Sequence, residues 1–216
     1  MAGAARDMRE HTPFARTVTA VLRHRWMMAL KGALKDAAWS VKGRAIVNPP
    51  LPVGVRSVLF VCLGNICRSP FAEHVAVRRL AHAGGPQIRC ASAGITARQS
   101  GEVPAHGRDV AMLDYGVRLD DDHQPQRLTR EMVDAFELVA VMEAPQLTLL
   151  RAAYPHAAHR IVLLSLLDPA PVSAYQRYHI DDPFSQPRTA FATSFARIDR
   201  AVARLLEQIG PAAPTT

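Results

Sequence analysis

One short segment brings together side chains that could attack and hold an anionic group: Cys62-Leu63-Gly64-Asn65-Ile66-Cys67-Arg68-Ser69-Pro70. A cysteine thiolate is a strong nucleophile. An arginine six positions later adds a planar guanidinium, which can bind two oxygens of a tetrahedral oxyanion at once. The spacing therefore predicts a site where Cys62 attacks a group whose oxygens are held by Arg68.

The residues around this segment predict a strand, a tight loop and a helix. Residues 58–61 are apolar and partly β-branched, which is typical of a strand buried on both faces. Ser69 can cap a helix, and Pro70 fits the first helical position. Gly64 and Asn65, between the two elements, tolerate positive φ. The backbone N–H groups of such a loop and the dipole of the helix bind anions, and the same field stabilises a thiolate.

Composition and charge indicate one domain with an N-terminal appendage. The chain has 216 residues and only three cysteines, two of them in the loop, so we expect a reducing cytoplasm rather than a disulfide framework. Residues 1–55 carry a net charge of +6, whereas the remaining residues carry +1. The basic character therefore belongs to the extension, and we expect no nucleic-acid partner for the rest of the chain.

The N-terminal extension predicts a basic amphipathic helix that starts at Thr17 and ends before Gly43. Its apolar positions recur at helical spacing: Val18, Val21, Leu22, Trp26, Leu30, Leu34, Ala37 and Val41. Three interpretations stay open: a helix docked on the core, a start codon assigned too early, with Met27 or Met28 as the later start, or an attachment of residues 17–42 to an anionic membrane surface or a partner. Charges interrupt the apolar run, so it does not span a membrane. The proline-rich residues 48–52 separate an extension, 1–55, from a domain, 56–212.

Strands alternate with helices after this linker. The predicted strands are 58–61, 87–92, 138–142 and 160–164, and the predicted helices are 71–82, 104–115, 129–136, 144–153 and 185–209. A long loop, 168–182, precedes the last helix. Such alternation predicts an α/β fold with a parallel sheet covered on both faces. Ligands bind beyond the carboxyl ends of such strands, which is where the cysteine loop lies.

The loop at 62–70 resembles the active-site loop of the low-molecular-weight protein-tyrosine phosphatases. Four further motifs continue the resemblance in order, over roughly residues 56–210: Ser92-Ala93-Gly94, His123 with Arg127-Leu128-Thr129, Val141-Met142-Glu143, and Asp182-Pro183-Phe184. The sequence of these motifs is similar to that of bacterial members, which act on tyrosine kinases of exopolysaccharide or capsule export. The resemblance implies a three-layer αβα fold with four parallel strands in order 2-1-3-4. It also implies a phosphotyrosine protein substrate, such as a tyrosine autokinase, and a reaction without metal or cofactor.

The resemblance assigns the chemical roles. Cys62 forms a cysteinyl-phosphate, Arg68 holds the phosphoryl oxygens, and Asp182 protonates the leaving phenolate and then activates water. The substrate-binding residues that it implies are Leu63, Gly64, Asn65, Ile66, Cys67, Ser69 and Phe184. Taken from the residues alone, capping of the last helix is the favoured role of Asp182, and only the order of the family motifs reverses this preference.

Two supporting residues complete the implied site. The Asn65 side chain is expected to be tied to Ser92 and His123, which would hold a left-handed turn that otherwise costs about 1–3 kcal/mol. Ser69 is expected to donate to the Cys62 sulfur. A solvated His123 and a Glu143 that merely caps the next helix are the open alternatives.

At some positions the sequence departs from the family pattern, and these departures leave the identity of the substrate open. Arg98 stands where the family often has an aromatic residue, and Tyr175 or Tyr178 is a candidate for the missing wall. Cys67 either packs as a small apolar residue or traps oxidised Cys62 as a disulfide. Cys90 is expected in the core.

Other activities of the same fold remain as alternatives. Arginine phosphatases typically carry threonine where this loop has Ile66, so tyrosine is favoured. Arsenate reductases need a downstream cysteine pair, and only Cys90 lies beyond the loop. A non-catalytic phosphate-binding scaffold is the alternative of a different class, which the set of Cys62, Arg68 and Asp182 argues against.

Overall fold

A four-stranded parallel sheet forms the centre of the protein. The computed structural model describes residues 27, 30–84, 87–98, 101–119, 123–170 and 173–210. The strands are β1 (Ser57–Cys62), β2 (Arg89–Gly94), β3 (Leu138–Val141) and β4 (Ile161–Leu163). Their order in the sheet is β2-β1-β3-β4, with all pairs parallel, which confirms the predicted topology.

Helices cover both faces of the sheet. They are α1 (30–42), α2 (Arg68–Ala83), α3 (Ala105–Tyr115), α4 (Arg130–Ala135), α5 (Ala144–Ala153), α6 (Ala174–Arg177) and α7 (Arg188–Ile209). Alternate residues of β1 point to opposite faces, since Phe60 packs in one core cluster with α2 and α7, and Leu59 packs in the other with α5. The three-layer αβα fold is thereby confirmed.

Some predicted boundaries are wrong. Helix α2 begins at Arg68, with no side-chain cap, because the Ser69 hydroxyl lies against Cys62 instead. Helix α7 begins at Arg188, not at residue 185 or 186. The predicted loop 168–182 contains the short helix α6, whose N-cap Ser173 accepts a hydrogen bond from the backbone N–H of Gln176. Four residues are too few to show helical periodicity in the sequence.

Strand β2 extends through Gly94 instead of ending at residue 92, because Gly94 pairs with Cys62. A Cβ at Gly94 would lie 2.7 Å from the backbone nitrogen of Asn65. A side chain at this position would collide with the loop backbone, so the close approach of β2 to the cysteine loop requires glycine.

Helix α1 lies against the body of the protein by a face that the apolar pattern did not indicate. Trp39 and Asp36 are half-buried, whereas Leu30, Leu34 and Val41 are exposed by 60, 63 and 69%. The predicted positions Val18, Val21, Leu22 and Trp26 lie outside the described residues. Within the described ranges no helix is long and apolar enough to cross a membrane.

Candidate active site

The cysteine loop connects the carboxyl end of β1 to the first turn of α2. Cys62 is the last residue of β1 and is buried. Asn65 adopts a left-handed conformation with φ of 54°, while Gly64 has no positive φ, so only one of the two expected positions uses this freedom. The turn directs the backbone N–H of Asn65 to the Cys62 sulfur, at 3.2 Å. A donor at this distance stabilises negative charge on the sulfur.

The side chain of Asn65 holds this left-handed turn in place. Its Nδ2 donates to the hydroxyl oxygens of Ser92, at 2.8 Å, and Ser69, at 3.0 Å. Its Oδ1 accepts from the backbone N–H of Gln126, at 2.8 Å. The expected tie to His123 is wrong in detail, because His123 Nε2 lies 2.8 Å from the backbone carbonyl oxygen of Asn65 and not from its side chain. Sequence reasoning could not separate these two modes of contact.

Ser69 lies beneath the nucleophile. Its Oγ is 3.0 Å from Cys62 Sγ and 3.2 Å from the carbonyl oxygen of Ala93. Since Asn65 already donates to this hydroxyl, the Ser69 proton is available for the sulfur or for the Ala93 carbonyl. The position fits the expected donation to Cys62.

Arg68 is the largest fully buried side chain among the described residues, with 1% of its surface exposed. Its Nη1 donates to the carboxylate of Glu143 and to the carbonyl oxygen of Ile180, the latter at 2.9 Å. Its Nη2 donates to Asp182 Oδ2 at 2.6 Å. Its buried Nε has no hydrogen-bond partner among the residues that the structure describes. The guanidinium is therefore fixed on one edge, while the edge of Nε keeps an unused donor.

Glu143 is a site residue to which the sequence assigned no role other than capping the next helix. It precedes α5 but makes no side-chain cap; instead its carboxylate pairs with Arg68. Burial alone would raise the pKa of this carboxyl, but the neighbouring His179 and the charge of Arg68 outweigh burial and lower the pKa to about 2. Nothing local in the sequence predicts this pair, whose members lie 75 positions apart.

The other two thiols are protonated in this environment. Burial, with the charge of Asp182 as the next cause, raises the pKa of the Cys67 thiol far above its usual range. Burial and the charge of Glu73 raise the pKa of Cys90 to about 12. Only partly buried, Cys90 packs at the edge of the core.

A cavity of about 180 Å³ opens above Cys62. It is lined by Cys62, Leu63, Gly64, Ile66, Cys67, Arg68, Thr96, Asp182 and Phe184. The structure thus brings together the three expected catalytic residues and five of the seven expected substrate-binding residues. Asn65 and Ser69, the other two, do not line the cavity; with Ser92 and His123 they hold the loop through hydrogen bonds on its far side. Thr96 was not expected; its backbone N–H donates to the Leu63 carbonyl at 2.8 Å, which holds it at the rim.

The second aromatic wall is not where the sequence suggested. Phe184, 51% exposed, forms one wall of the cavity. Tyr175 and Tyr178 pack against Trp39 instead of lining the cavity, so neither is the expected replacement. Arg98 is exposed and is not among the lining residues. No cluster of three or more His, Cys, Asp or Glu side chains suited to a metal ion occurs in the described part of the chain.

Comparison with known proteins places this geometry in a family. Residues 57–213 match the family model described as low molecular weight phosphotyrosine protein phosphatase. The chain is 32% identical over 147 residues to the probable low molecular weight protein-tyrosine-phosphatase AmsI of Erwinia amylovora, covering 68% of this chain and 92% of that protein. It is 30% identical over 145 residues to the phosphatase Etp of Escherichia coli K12, covering 67% and 88%.

Solved structures agree. The crystal structure of the AmsI tyrosine phosphatase superposes with a TM-score of 0.61 at 29% identity, over 72% of this chain and 93% of that one. The tyrosine phosphatase Wzb of Escherichia coli K30, in complex with sulphate, gives 0.60 at 26% identity, over 72% and 99%. Because the family model matches well over half of the residues, the chain belongs to the low molecular weight protein-tyrosine phosphatases, hydrolases that act on phosphoric monoesters.

Proposed function

We propose that Cys62, Arg68 and Asp182 carry out the two steps of phosphotyrosine hydrolysis. The Cys62 thiolate attacks phosphorus in line as the bond to the phenolic oxygen breaks, and Asp182 donates its proton to that oxygen. Water then attacks the cysteinyl-phosphate, the Asp182 carboxylate takes a proton from the water, and the phosphorus–sulfur bond breaks. Inorganic phosphate leaves, and the thiolate and the protonated carboxyl are restored.

The observation that carries this proposal is the unused edge of Arg68. A buried donor without a partner is rare, because its desolvation costs about 1–3 kcal/mol. Nε and the second N–H of Nη2 form a fork on the same edge of the guanidinium. A phosphoryl group above Cys62 would bind this fork bidentately, and Asp182 would stay within reach of the leaving oxygen.

Backbone donors support the same role. The N–H groups of Gly64, Ile66 and Cys67 have no protein acceptor within the described ranges. They belong to the loop that lines the cavity, at the N-terminus of α2. Donors fixed in place before the reaction stabilise the charge that develops on the equatorial oxygens.

The rim of the cavity favours an aryl phosphate. Ile66 lines the cavity and packs closely on the neighbouring segment, since a Cβ at Gly101 would lie 2.7 Å from Ile66 Cδ1. Phe184 offers a ring face to a phenol. These two apolar groups favour the ring of phosphotyrosine over the polar guanidinium of phosphoarginine.

Phosphate release from a phosphotyrosine peptide by wild-type protein and by Cys62→Ser tests the activity. We expect the variant to lose turnover by at least about 10⁴-fold, since the nucleophile is gone. Equal rates would overturn the proposal. Release from a phosphoarginine peptide at a comparable rate would instead support the arginine-directed alternative.

We propose that the physiological substrate is a tyrosine autokinase of polysaccharide export and that the enzyme works in the cytoplasm. The resemblance to bacterial members supports the first point. The three cysteines are free, and a thiol nucleophile needs a reducing compartment, which supports the second. Loss of phosphotyrosine from a purified autokinase, followed with a phosphotyrosine antibody, checks the substrate. An autokinase that keeps its phosphotyrosine while a phosphotyrosine peptide is hydrolysed would exclude it.

A second proposal concerns the outer face of α1, which we infer to contact an anionic membrane surface. Its exposed apolar side chains lie opposite Trp39 on the helix: Leu30, Leu34 and Val41. Lys31 and Lys42 lie along one flank of this stripe. An apolar stripe with a basic flank is typical of helices that lie in the plane of an anionic lipid interface.

Sedimentation with phosphatidylserine-containing vesicles tests this contact. We expect binding that phosphatidylcholine vesicles do not support and that Leu34→Glu weakens about tenfold, since burying one leucine contributes about 1.5–3 kcal/mol. Leu113→Glu is the matched control, because Leu113 is an equally exposed leucine on α3. Equal binding to both lipids, no binding, or dimerisation through α1 would contradict the proposal.

A further inference from the structure

Helix α1 packs against the segment 175–181, which directly precedes Asp182. Asp36 Oδ1 accepts the backbone N–H of Tyr175 at 2.9 Å, and Lys35 Nζ lies 3.3 Å from the centre of the Tyr175 ring. Trp39 packs its ring edge against His179, with ring centres 4.3 Å apart. These contacts join the N-terminal extension to the seven residues before Asp182.

The C-terminal end of α1 also packs closely against this segment, at Tyr178. Trp39 stacks on Tyr178 with ring centres 5.7 Å apart. Gly43, just after α1, is buried against the same ring, since a Cβ there would lie 1.9 Å from Tyr178 Cε2. No residue larger than glycine fits at this position without moving the tyrosine, so the docked position of α1 is well defined.

Two routes lead from this contact into the active site. The Tyr175 hydroxyl donates to Asp181 Oδ1 at 3.0 Å, next to the proposed general acid Asp182. His179 Nδ1 lies 3.9 Å from Glu143, whose carboxylate holds Arg68. The contact surface of α1 is therefore one residue removed from both ends of the Arg68–Asp182 ion pair.

Aromatic packing is what orients His179. The residue is buried, and neither ring nitrogen has a hydrogen-bond partner among the residues that the structure describes. Its ring lies between Tyr175, stacked at 4.3 Å and 10°, and the edge of Trp39. Without Trp39 the imidazole would lose the ring that packs on one of its sides, and only the Tyr175 ring and the Glu143 carboxylate, 3.9 Å from Nδ1, would be left to orient it.

We propose that Trp39 is a positioning residue for the phosphatase reaction. By packing on His179 and Tyr178, it keeps the segment from Tyr175 to Asp182 in the geometry that points the acid at the leaving oxygen. This inference rests on the proposed role of Asp182. It assigns a catalytic contribution to the extension, which precedes the residues that define the family.

The test compares kcat/KM for two aryl phosphates in the full-length protein. Phenyl phosphate has a poor leaving group and needs the acid, whereas p-nitrophenyl phosphate has a good one and needs it less. We expect Trp39→Ala to lower kcat/KM about tenfold or more for phenyl phosphate and about threefold or less for p-nitrophenyl phosphate. Trp39→Phe, which keeps a ring against His179, should restore most of the loss.

Two controls separate positioning from general damage. Leu113→Ala, at an exposed leucine of α3 that belongs to neither proposed contact, should leave both values unchanged. In an Asp182→Asn background, Trp39→Ala should add no further preference for the better leaving group, because the acid through which it acts is absent. If Trp39→Ala unfolds below the assay temperature, Asp36→Ala, which removes only the bond to Tyr175, should show the same preference in weaker form.

Equal losses for the two substrates, no loss in Trp39→Ala, or a further preference in the Asp182→Asn background would overturn the inference. Failure of the proposed function looks different. In that case Asp182→Asn itself would show no dependence on the leaving group. A clear dependence in Asp182→Asn with none in Trp39→Ala would reject the role of Trp39 alone.

Discussion

Arg68 Nη2 and Asp182 Oδ2 lie 2.6 Å apart, so the anion-binding residue and the proposed acid form an ion pair. Arg68 is almost fully buried, whereas 38% of the Asp182 side chain is exposed. The pair uses only one N–H of Nη2, which leaves Nε and the second N–H for an oxyanion. In the proposed mechanism Arg68 therefore holds a phosphoryl group and Asp182 at the same time.

This geometry predicts the behaviour of Asp182→Asn. An asparagine is close to isosteric but cannot donate a proton to the phenolate, so kcat/KM for a phosphotyrosine peptide should fall by about 10²–10⁴-fold. The loss should be smaller for p-nitrophenyl phosphate. Asp181→Asn, which keeps an oxygen for the Tyr175 hydroxyl, is the matched control and should retain most of the activity. Steady-state kinetics with both substrates decide, and an equal effect of the two variants would argue against Asp182 as the acid.

Gly94→Ala should disrupt the cysteine loop on the side where strand β2 packs against it. The new Cβ would lie 2.7 Å from the Asn65 nitrogen, so either the loop or β2 must move, at a cost of about 1–3 kcal/mol of unfolding free energy. Urea unfolding and phosphatase activity should both report the change. Gly32→Ala, in an exposed position of α1 with nothing within 4 Å, should instead stabilise by about 0.5–1 kcal/mol. An unaffected Gly94→Ala enzyme would mean that the loop tolerates a wider gap to β2.

Glu143→Gln should lower stability in a pH-dependent way. Loss of the charged bond to buried Arg68 should cost about 1.5–3 kcal/mol at pH 7. The pKa of Glu143 is lowered from 4.5 to about 2, so its contribution is complete above about pH 4.5 and disappears as the pH falls toward 2. The difference between wild type and variant should therefore narrow over that window.

Urea unfolding at pH 7, 4 and 3 measures this difference. Glu207→Gln provides the comparison, because Glu207 pairs with Arg204 on the surface and should contribute little. A constant difference between Glu143→Gln and wild type at all three pH values would show that the carboxylate charge is not what stabilises this contact.

Alkylation should distinguish the three cysteines. Burial raises the pKa of the Cys67 and Cys90 thiols, so both are protonated and unreactive at pH 7. We expect iodoacetate, an anion that fits beside Arg68, to modify Cys62 alone, as peptide mass spectrometry would show. Phosphate should protect Cys62, and Cys62→Ser should leave no fast site. Labelling of Cys67 at a similar rate would contradict the protonated state assigned to it.

Much of the fold and the centre of the site could be predicted because their signals are local. The apolar run of β1 and the loop that follows it lie within 14 consecutive residues, 57–70. The apolar stripe of α7 spans several turns, which makes its period visible. Strand order, in contrast, came from the family resemblance and not from the pattern.

The parts that escaped prediction depend on contacts between distant residues. Glu143 carries no local sign that it will meet Arg68, and α6 is too short for periodicity. The face of α1 that docks was also misjudged. An amphipathic pattern shows which face is apolar, whereas docking here uses Trp39, a single large residue off that stripe. Which of these two faces of α1 docks is decided by the shape of the protein surface against which the helix packs.

The unused edge of Arg68 has a consequence for the working cell. The proposed donors of the cavity suit a tetrahedral oxyanion. Inorganic phosphate, the product of the reaction, presents the same oxygens as the phosphoryl group of the substrate, so we expect the same donors to bind both. We therefore expect free phosphate to compete with the substrate for the site. Under the proposed mechanism, turnover should therefore slow as the concentration of inorganic phosphate around the enzyme rises.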